Sequence, residues 1–472
     1  MPTNLLRGLP SVSDLLESPS LKRIVNRVNH NVVVARVRTL LDDLKREVQT
    51  AASEMPLPSV SELAERIVRR LQQDERPRLR AVVNATGVLF HPELGPPPLA
   101  ESAVEELVVA ARDYASVELD LISGKRAAPS VAVQELLCEI CQCEAALVLQ
   151  NHASAVWLAV AAFATGKEVI VSRGEVVDVE GFPLPTLVAG AQATLREVGS
   201  THHTQLTDYA QAGSELTGLF VRLQPTEYAI VGTQTSSVSL EDLARLARQL
   251  ERPLVHDLGY GGVLDVAALG LPSEPTAQSS VEAGADLTIL SGDKLLGGPR
   301  CGIVIGRRAL IERLATHPLA GLHSADKLSL AALAGTLRLY RQPEIARRDL
   351  PLLRLLDTPM ANLRGRAERL APQLAACPAV QGVEILEEVT YLGPAPLPSR
   401  QLPTVCLAIE PASGSAERLA ANLRSGTPAV VGRNKDGRYC FDLRSVIPRH
   451  DMLLIDAVTA LKAPAETPPS GA

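Results

Sequence analysis

The chain has 472 residues, a formal net charge of −6, 46% hydrophobic and 21% charged residues, and only 3% aromatic residues. That length exceeds what one core supports, so two or three domains are expected; ordinary globular usage excludes disorder, collagen, coiled coil and a disulfide scaffold for the bulk. Scarce aromatics leave an aliphatic, Ala-rich core and argue against a surface of stacked rings, and the acidic balance argues against wholesale nucleic-acid binding.

No apolar run reaches the roughly 20 residues a membrane helix needs, and Met1-Pro2-Thr3-Asn4 opens without a basic segment followed by an apolar one. Seven cysteines, odd in number and mostly scattered, make no disulfide framework. A reduced, cytoplasmic protein with no membrane partner is expected. Residues 1–80 carry 14 Lys/Arg against 10 Asp/Glu, whereas the remainder carries 33 against 43. A basic segment on an acidic body fits either solvated helix faces or a local polyanion contact.

In chain order, the apolar spacing of Ile24, Val28, Val32, Val33, Val37, Leu40, Leu41 and Leu44 predicts an amphipathic helix over 20–49. Pro56 and Pro58 break it, and Ser59-Val60-Ser61-Glu62 opens a second helix to about Gln73. Residues 1–80 read as a small helical module. From 81 to 335 apolar strands alternate with helices: 145–149, a helix from Ser154, 168–172, 218–223, a helix over 240–250, 253–257, 286–290 and 301–305. Strands buried on both faces predict a largely parallel sheet in an α/β domain. After a helix over 328–340, short strands at 404–409 and 438–443 among Pro-rich loops predict a smaller α+β domain over 336–462. The Pro/Ser/Gly/Ala-rich tail 463–472 reads as disordered.

The strongest chemical signal is Ser291-Gly292-Asp293-Lys294-Leu295-Leu296-Gly297-Gly298-Pro299, directly after an apolar strand. A lysine on a Gly-rich turn at a strand's carboxyl end points into a cleft, and Ser291 can present its hydroxyl to a phosphate. Pyridoxal-phosphate enzymes of the aspartate-aminotransferase fold hold their Schiff-base lysine in this way. Asp257, in His256-Asp257-Leu258-Gly259 at the end of another apolar strand, supplies the carboxylate that a protonated pyridine nitrogen needs. Asn151-His152-Ala153-Ser154 opens a helix whose free N–H groups suit the cofactor phosphate; Asn151 or Ser154 equally reads as a helix cap, and His152 as a neighbour of the ring. Cys138, Cys141 and Cys143 resemble half a zinc site without a second pair, so core packing and no metal are expected.

Over nearly its whole length the chain resembles the bacterial selenocysteine synthases, the L-seryl-tRNA(Sec) selenium transferases. The likeness runs through Leu9-Pro10-Ser11-Val12, Val83-Asn84-Ala85-Thr86-Gly87-Val88, Ser172-Arg173-Gly174-Glu175, Asp257-Leu258-Gly259 and Ser291 to Pro299. It continues in His317-Pro318-Leu319, Leu330-Ala331-Ala332-Leu333, Val431-Gly432-Arg433 and Asp442-Leu443-Arg444. The resemblance implies a pyridoxal 5′-phosphate enzyme of fold type I, usually a large homo-oligomer, whose N-terminal module contacts the tRNA. It implies β-elimination on seryl-tRNA(Sec), then addition of selenium from selenophosphate. Lys294 would be the Schiff-base lysine and Asp293 the neighbouring acid.

The chain departs from the family where arginines are usual. It has Pro96 after Leu94-Gly95, Ala127-Ala128-Pro129 after Arg126, and Phe182-Pro183-Leu184-Pro185 in place of Phe-Arg-Ile-Pro. It has His202-His203 in place of Asn-Arg, and Ala320-Gly321-Leu322-His323-Ser324 after His-Pro-Leu. Such arginines bind phosphate through charge-assisted forks, so weak binding of the selenium donor is expected unless His202, His203 or Arg300 compensates. Two other classes compete with the family activity: a pyridoxal-phosphate lyase on a small amino acid or amino sugar, and a non-catalytic relative that binds tRNA or a partner.

Overall fold

The computed structural model describes residues 10–25, 30–50, 59–74, 79–125, 131–397 and 400–461. Leu9, Pro56, Pro58, Arg126, the Ala127-Ala128-Pro129 departure and the 463–472 tail lie outside them. The chain divides into two compact units, Met1–Ala81 and Val82–Ala472.

In the first unit α1 (Val12–Leu16), α2 (Pro19–Val25), α3 (His30–Thr50) and α4 (Val60–Asp74) share one core. The helix expected over 20–49 is described as α2 and α3. Val33, Val37 and Leu41, one helical turn apart on α3, bury with Leu15, Leu21, Leu63, Ile67 and Leu71. Ser59 and Glu62 exchange bonds at the start of α4: Glu62 takes the Ser59 N–H at 2.7 Å and its own N–H reaches the Ser59 hydroxyl at 3.3 Å. This reciprocal cap satisfies two donors that the helix cannot.

The second unit is built on a seven-stranded sheet, ordered β2-β10-β9-β8-β7-β3-β6. Its members are β2 (Ala145–Leu149), β3 (Glu168–Ser172), β6 (Thr194–Val198), β7 (Thr217–Leu223), β8 (Leu254–Asp257), β9 (Leu287–Ser291) and β10 (Gly302–Gly306). The sheet is parallel from β6 to β9, while β10 runs antiparallel to both β9 and β2. Alternation decides the layers. Val169, Val171, Leu219, Val221, Val255, Ile289 and Val304 face one core, and Ile170, Phe220, Leu254, Leu290, Ile303 and Ile305 face the other side.

The helix on the first side, His152–Ala164, is apolar almost all round and correspondingly buried. The opposite side is covered by the helices Glu101–Arg112, Val131–Cys141 and Lys327–Leu339, among others. Cys141 is fully buried there, and burial pushes its thiol up to about 12. Among the described residues, no group of three or more His, Cys, Asp or Glu is arranged to hold a metal, and no helix is long and apolar enough to cross a membrane.

A four-stranded antiparallel sheet follows in order β11-β12-β15-β14, with β11 (Val380–Tyr391), β12 (Gln401–Pro411), β14 (Arg433–Lys435) and β15 (Arg438–Asp442). Beside it β1 (Val82–Asn84) pairs in parallel with β13 (Ala429–Val431), and Val83 and Ala85 bury in the core of this C-terminal sheet. The segment that the sequence places at the start of the large α/β domain therefore packs with the last third of the chain.

Candidate active site

β2, β8 and β9 all point their carboxyl ends to the same edge of the sheet, which is where open α/β folds bind ligands. A cavity of about 340 Å³ opens there, lined by Phe90, His152, Glu180, Asp257, Tyr260 and Lys294 among others. A larger one of about 420 Å³ lies beside it around Glu175, Arg222 and Tyr228, sharing Leu223 and Gln224; it holds none of the predicted cofactor residues.

Asp257 is 2% exposed. Its Oδ1 accepts the Gly259 N–H at 2.9 Å and bonds His152 Nε2 at 2.8 Å, while Oδ2 is buried with no partner. An orphaned carboxylate oxygen in the interior costs about 1–3 kcal/mol, so this atom awaits a donor. Burial disfavours the His152 cation, but the Asp257 charge and hydrogen bond, with Glu180 and Asp293 behind them, more than offset it and hold the imidazole pKa above its usual value.

Lys294 sits on the turn after β9 with its side chain 24% exposed and Nζ 3.8 Å from Asp293 Oδ2. Its ammonium lies 5.5 Å from the centre of the Phe90 ring and 5.9 Å from that of Tyr260. Those rings meet edge to face at 5.1 Å. Neither aromatic was expected from the sequence, yet in so aromatic-poor a chain both flank the lysine.

The remaining predicted residues fall differently. The Ser291 hydroxyl is fully buried and donates to Asp293 Oδ1 at 2.6 Å, so it orders the acid beside the lysine instead of facing a phosphate. Asn151 caps the helix His152–Ala164, hereafter α5, through Oδ1 to the Ser154 N–H at 2.8 Å. Ser154 is buried and accepts the Gln150 side-chain amide at 3.2 Å. A Cβ on Gly302 would lie 2.2 Å from the Asn151 carbonyl oxygen, so only glycine lets β10 pass under this helix head.

The helix head already has an anion. The Ala153 N–H donates to Glu180 Oε2 at 3.2 Å, and Glu180 Oε1 lies 3.5 Å from Arg300 Nε. Glu180 was not singled out from the sequence; the one local signal was Glu180-Gly181, a turn pair between two short strands. Of the three groups expected to replace lost arginines, Arg300 is thus engaged by Glu180, His203 Nδ1 bonds the Ser236 hydroxyl at 2.7 Å, and His202 lines the larger cavity.

Several family-like segments lie elsewhere, in the C-terminal sheet. Asp442 is fully buried and takes bonds from Thr390 Oγ1 at 2.8 Å, Thr404 Oγ1 at 2.7 Å and the Arg444 N–H at 3.0 Å. The Arg444 guanidinium donates to the carbonyls of Pro403, Leu355, Leu356 and Thr358. Gly87, at φ +77°, would drive a Cβ to 2.4 Å from Asp442 Oδ2.

The profile of the L-seryl-tRNA selenium transferase family matches residues 82–447. The chain is 38% identical to the L-seryl-tRNA(Sec) selenium transferase of Carboxydothermus hydrogenoformans over 444 residues, 94% of this chain and 95% of that one. It is 38% identical to that of Geobacter sulfurreducens, covering 96% and 98%, and 41% identical to that of Klebsiella pneumoniae strain 342, covering 93% and 96%. Among solved structures, a D-glucosaminate-6-phosphate ammonia-lyase superposes with a TM-score of 0.56 at 19% identity, over 83% of this chain and 97% of that one; this is a likeness of fold. The fold is the α/β architecture of the type I pyridoxal-phosphate enzymes, and the chain belongs to the L-seryl-tRNA selenium transferase family.

Proposed function

We propose that the protein converts seryl-tRNA(Sec) to selenocysteinyl-tRNA(Sec), removing the seryl β-hydroxyl and adding selenium at the same carbon. Its cofactor is pyridoxal 5′-phosphate, and the cavity fits that group. The observation that carries the reading is Asp257 Oδ2, buried without a partner in the cavity that Lys294 also lines. When bound, the cofactor supplies an electron sink for charge developing at the substrate's Cα.

The chain's own residues do the rest. Asp257 would hold the proton on the ring nitrogen, and His152, bonded to its other oxygen, fixes that carboxylate in place. Lys294 would hold the cofactor through its aldehyde carbon, and its amine, when free, would take the Cα proton. Asp293, 3.8 Å away and oriented by Ser291, stabilises the ammonium so formed.

Selenophosphate is the donor in this reading, and its binding is weak. Pro96 stands where the family usually has arginine, the stretch Ala320-Gly321-Leu322-His323-Ser324 stands where basic residues are usual, and Arg300 is paired with Glu180. The N-terminal module is the tRNA contact; Arg38 and Arg66 are exposed on it. Self-association is supported by Val109, Tyr114, Leu121 and Ile122, apolar side chains exposed along one stretch of the second unit. The place of action is the cytoplasm.

The test is incubation of the cofactor-loaded protein with seryl-tRNA(Sec), with and without selenophosphate, followed by analysis of the released amino acid. Selenocysteine, formed only with donor, is expected. Pyruvate alone would mean that elimination survives without transfer. No reaction would overturn the assignment.

A further inference from the structure

At the amino end of α5, on the cavity, the Ala153 N–H and the helix dipole meet an anion, and that anion belongs to the chain itself. Glu180 reaches it from a hairpin of two residues per strand, β4 (Asp178–Val179) and β5 (Phe182–Pro183), closed by Glu180 at φ +51° and Gly181 at φ +83°. Two successive left-handed residues make the tight turn of a two-residue hairpin, which glycine accepts freely and glutamate does not. The turn that puts the Glu180 carboxylate on the Ala153 N–H is therefore held at some conformational cost. So short a ladder, with Phe182 half exposed, is also easily moved.

We propose that Glu180 is an intramolecular competitor for the phosphate of the cofactor. Its carboxylate occupies the α5 amino end and engages Arg300 until a phosphate displaces it, and the 178–183 hairpin swings away as the cofactor seats. The proposal rests on the reading above, in which the cofactor occupies the cavity of Asp257 and Lys294, and on the expectation from the sequence that its phosphate sits at the α5 amino end; the role of Glu180 is what it adds. Two observations meet here independently: the helix head carries a carboxylate, and the buried, unpartnered Asp257 Oδ2 in the same cavity marks where the other end of a ligand belongs. A carboxylate and a phosphate cannot both sit on the Ala153 N–H without strong repulsion. The binding of one therefore expels the other, and Arg300 is released to the incoming group.

The test compares three probes on apoprotein: pyridoxal 5′-phosphate, pyridoxal without its phosphate, and inorganic phosphate. In Glu180→Gln, affinity for the two phosphate-bearing probes should rise about tenfold while that for pyridoxal is unchanged. The apoprotein's melting temperature should gain more from inorganic phosphate in the variant than in the wild type. Equal or weaker phosphate binding in Glu180→Gln overturns the proposal. Should that variant not fold, Glu180→Asp, which shortens the reach to the Ala153 N–H, is read in the same way. Asn151→Asp keeps the helix cap but adds charge beside the helix head, so it should loosen pyridoxal 5′-phosphate relative to pyridoxal. If it does not, the helix head is not the phosphate seat, and the placement beneath the proposal falls with it. If Asn151→Asp loosens the cofactor while Glu180→Gln fails to tighten it, the competitor role alone is wrong.

Discussion

Two regions carry the family-like segments, and they treat their charged residues in opposite ways. Around Asp442 both carboxylate oxygens are taken by hydroxyls, the next turn's N–H fills a further site, and the Arg444 guanidinium is shared among four carbonyls. Around Asp257 one oxygen is saturated and the other has nothing, while Lys294 faces only a distant carboxylate and two ring faces. Asp257 and Asp442 are similarly buried, at 2% and 0% exposure. Spare bonding capacity, not burial, separates these two carboxylates: Asp442 is filled by the chain's own donors, and Asp257 keeps one oxygen open on the cavity.

That contrast can be broken at either end. The largest effect is expected for Lys294→Ala: turnover should fall by about 10³-fold or more. The visible absorbance of bound cofactor should vanish, with the melting temperature of the apoprotein nearly unchanged. Asp442→Ala should do the reverse. It strands two threonine hydroxyls and an N–H in the core, costing about 3 kcal/mol or more by denaturant titration, while folded protein keeps its cofactor affinity. Ser291→Ala sharpens the comparison, because its hydroxyl belongs to Asp293. A loss of about 1 kcal/mol in stability is expected, with no selective loss of phosphate-bearing ligands; a tenfold drop confined to those ligands would return Ser291 to the phosphate.

The smallest effect is in pH dependence. The His152 pKa in the folded apoprotein lies above the ordinary 6.5, so its stabilisation is complete below that value and is lost as pH rises through the folded one. The stability gap between wild type and His152→Gln, on the order of 1 kcal/mol below that pH, should narrow at higher pH; a gap that widens would mean that the imidazole is neutral when paired.

Much of this was legible beforehand, for a physical reason. β8 and β9 are buried on both faces and read as continuous apolar runs, so Asp257 and Lys294, at or just past their ends, could be placed on one sheet edge. β6, at the sheet edge, and β11 are half-exposed or exposed along most of their length and leave no such run, so neither is legible in the sequence. The place of Ser291 at a strand end is legible, but its bond to Asp293 is not, because which way a strand-end hydroxyl turns depends on the neighbouring acid. Glu180 was invisible because its role exists only once the hairpin folds back on α5.

The pairing of β1 with β13 sets a schedule for the ribosome. Val82 finds Ala429 only after about 350 further residues have been made, so the first strand of the second unit emerges with no edge to join. Its apolar residues must wait, exposed or chaperoned, until nearly the whole chain is out. A nascent chain stalled or clipped before residue 429 would be loose at its beginning as well as its end, which makes the unit an all-or-nothing product of translation.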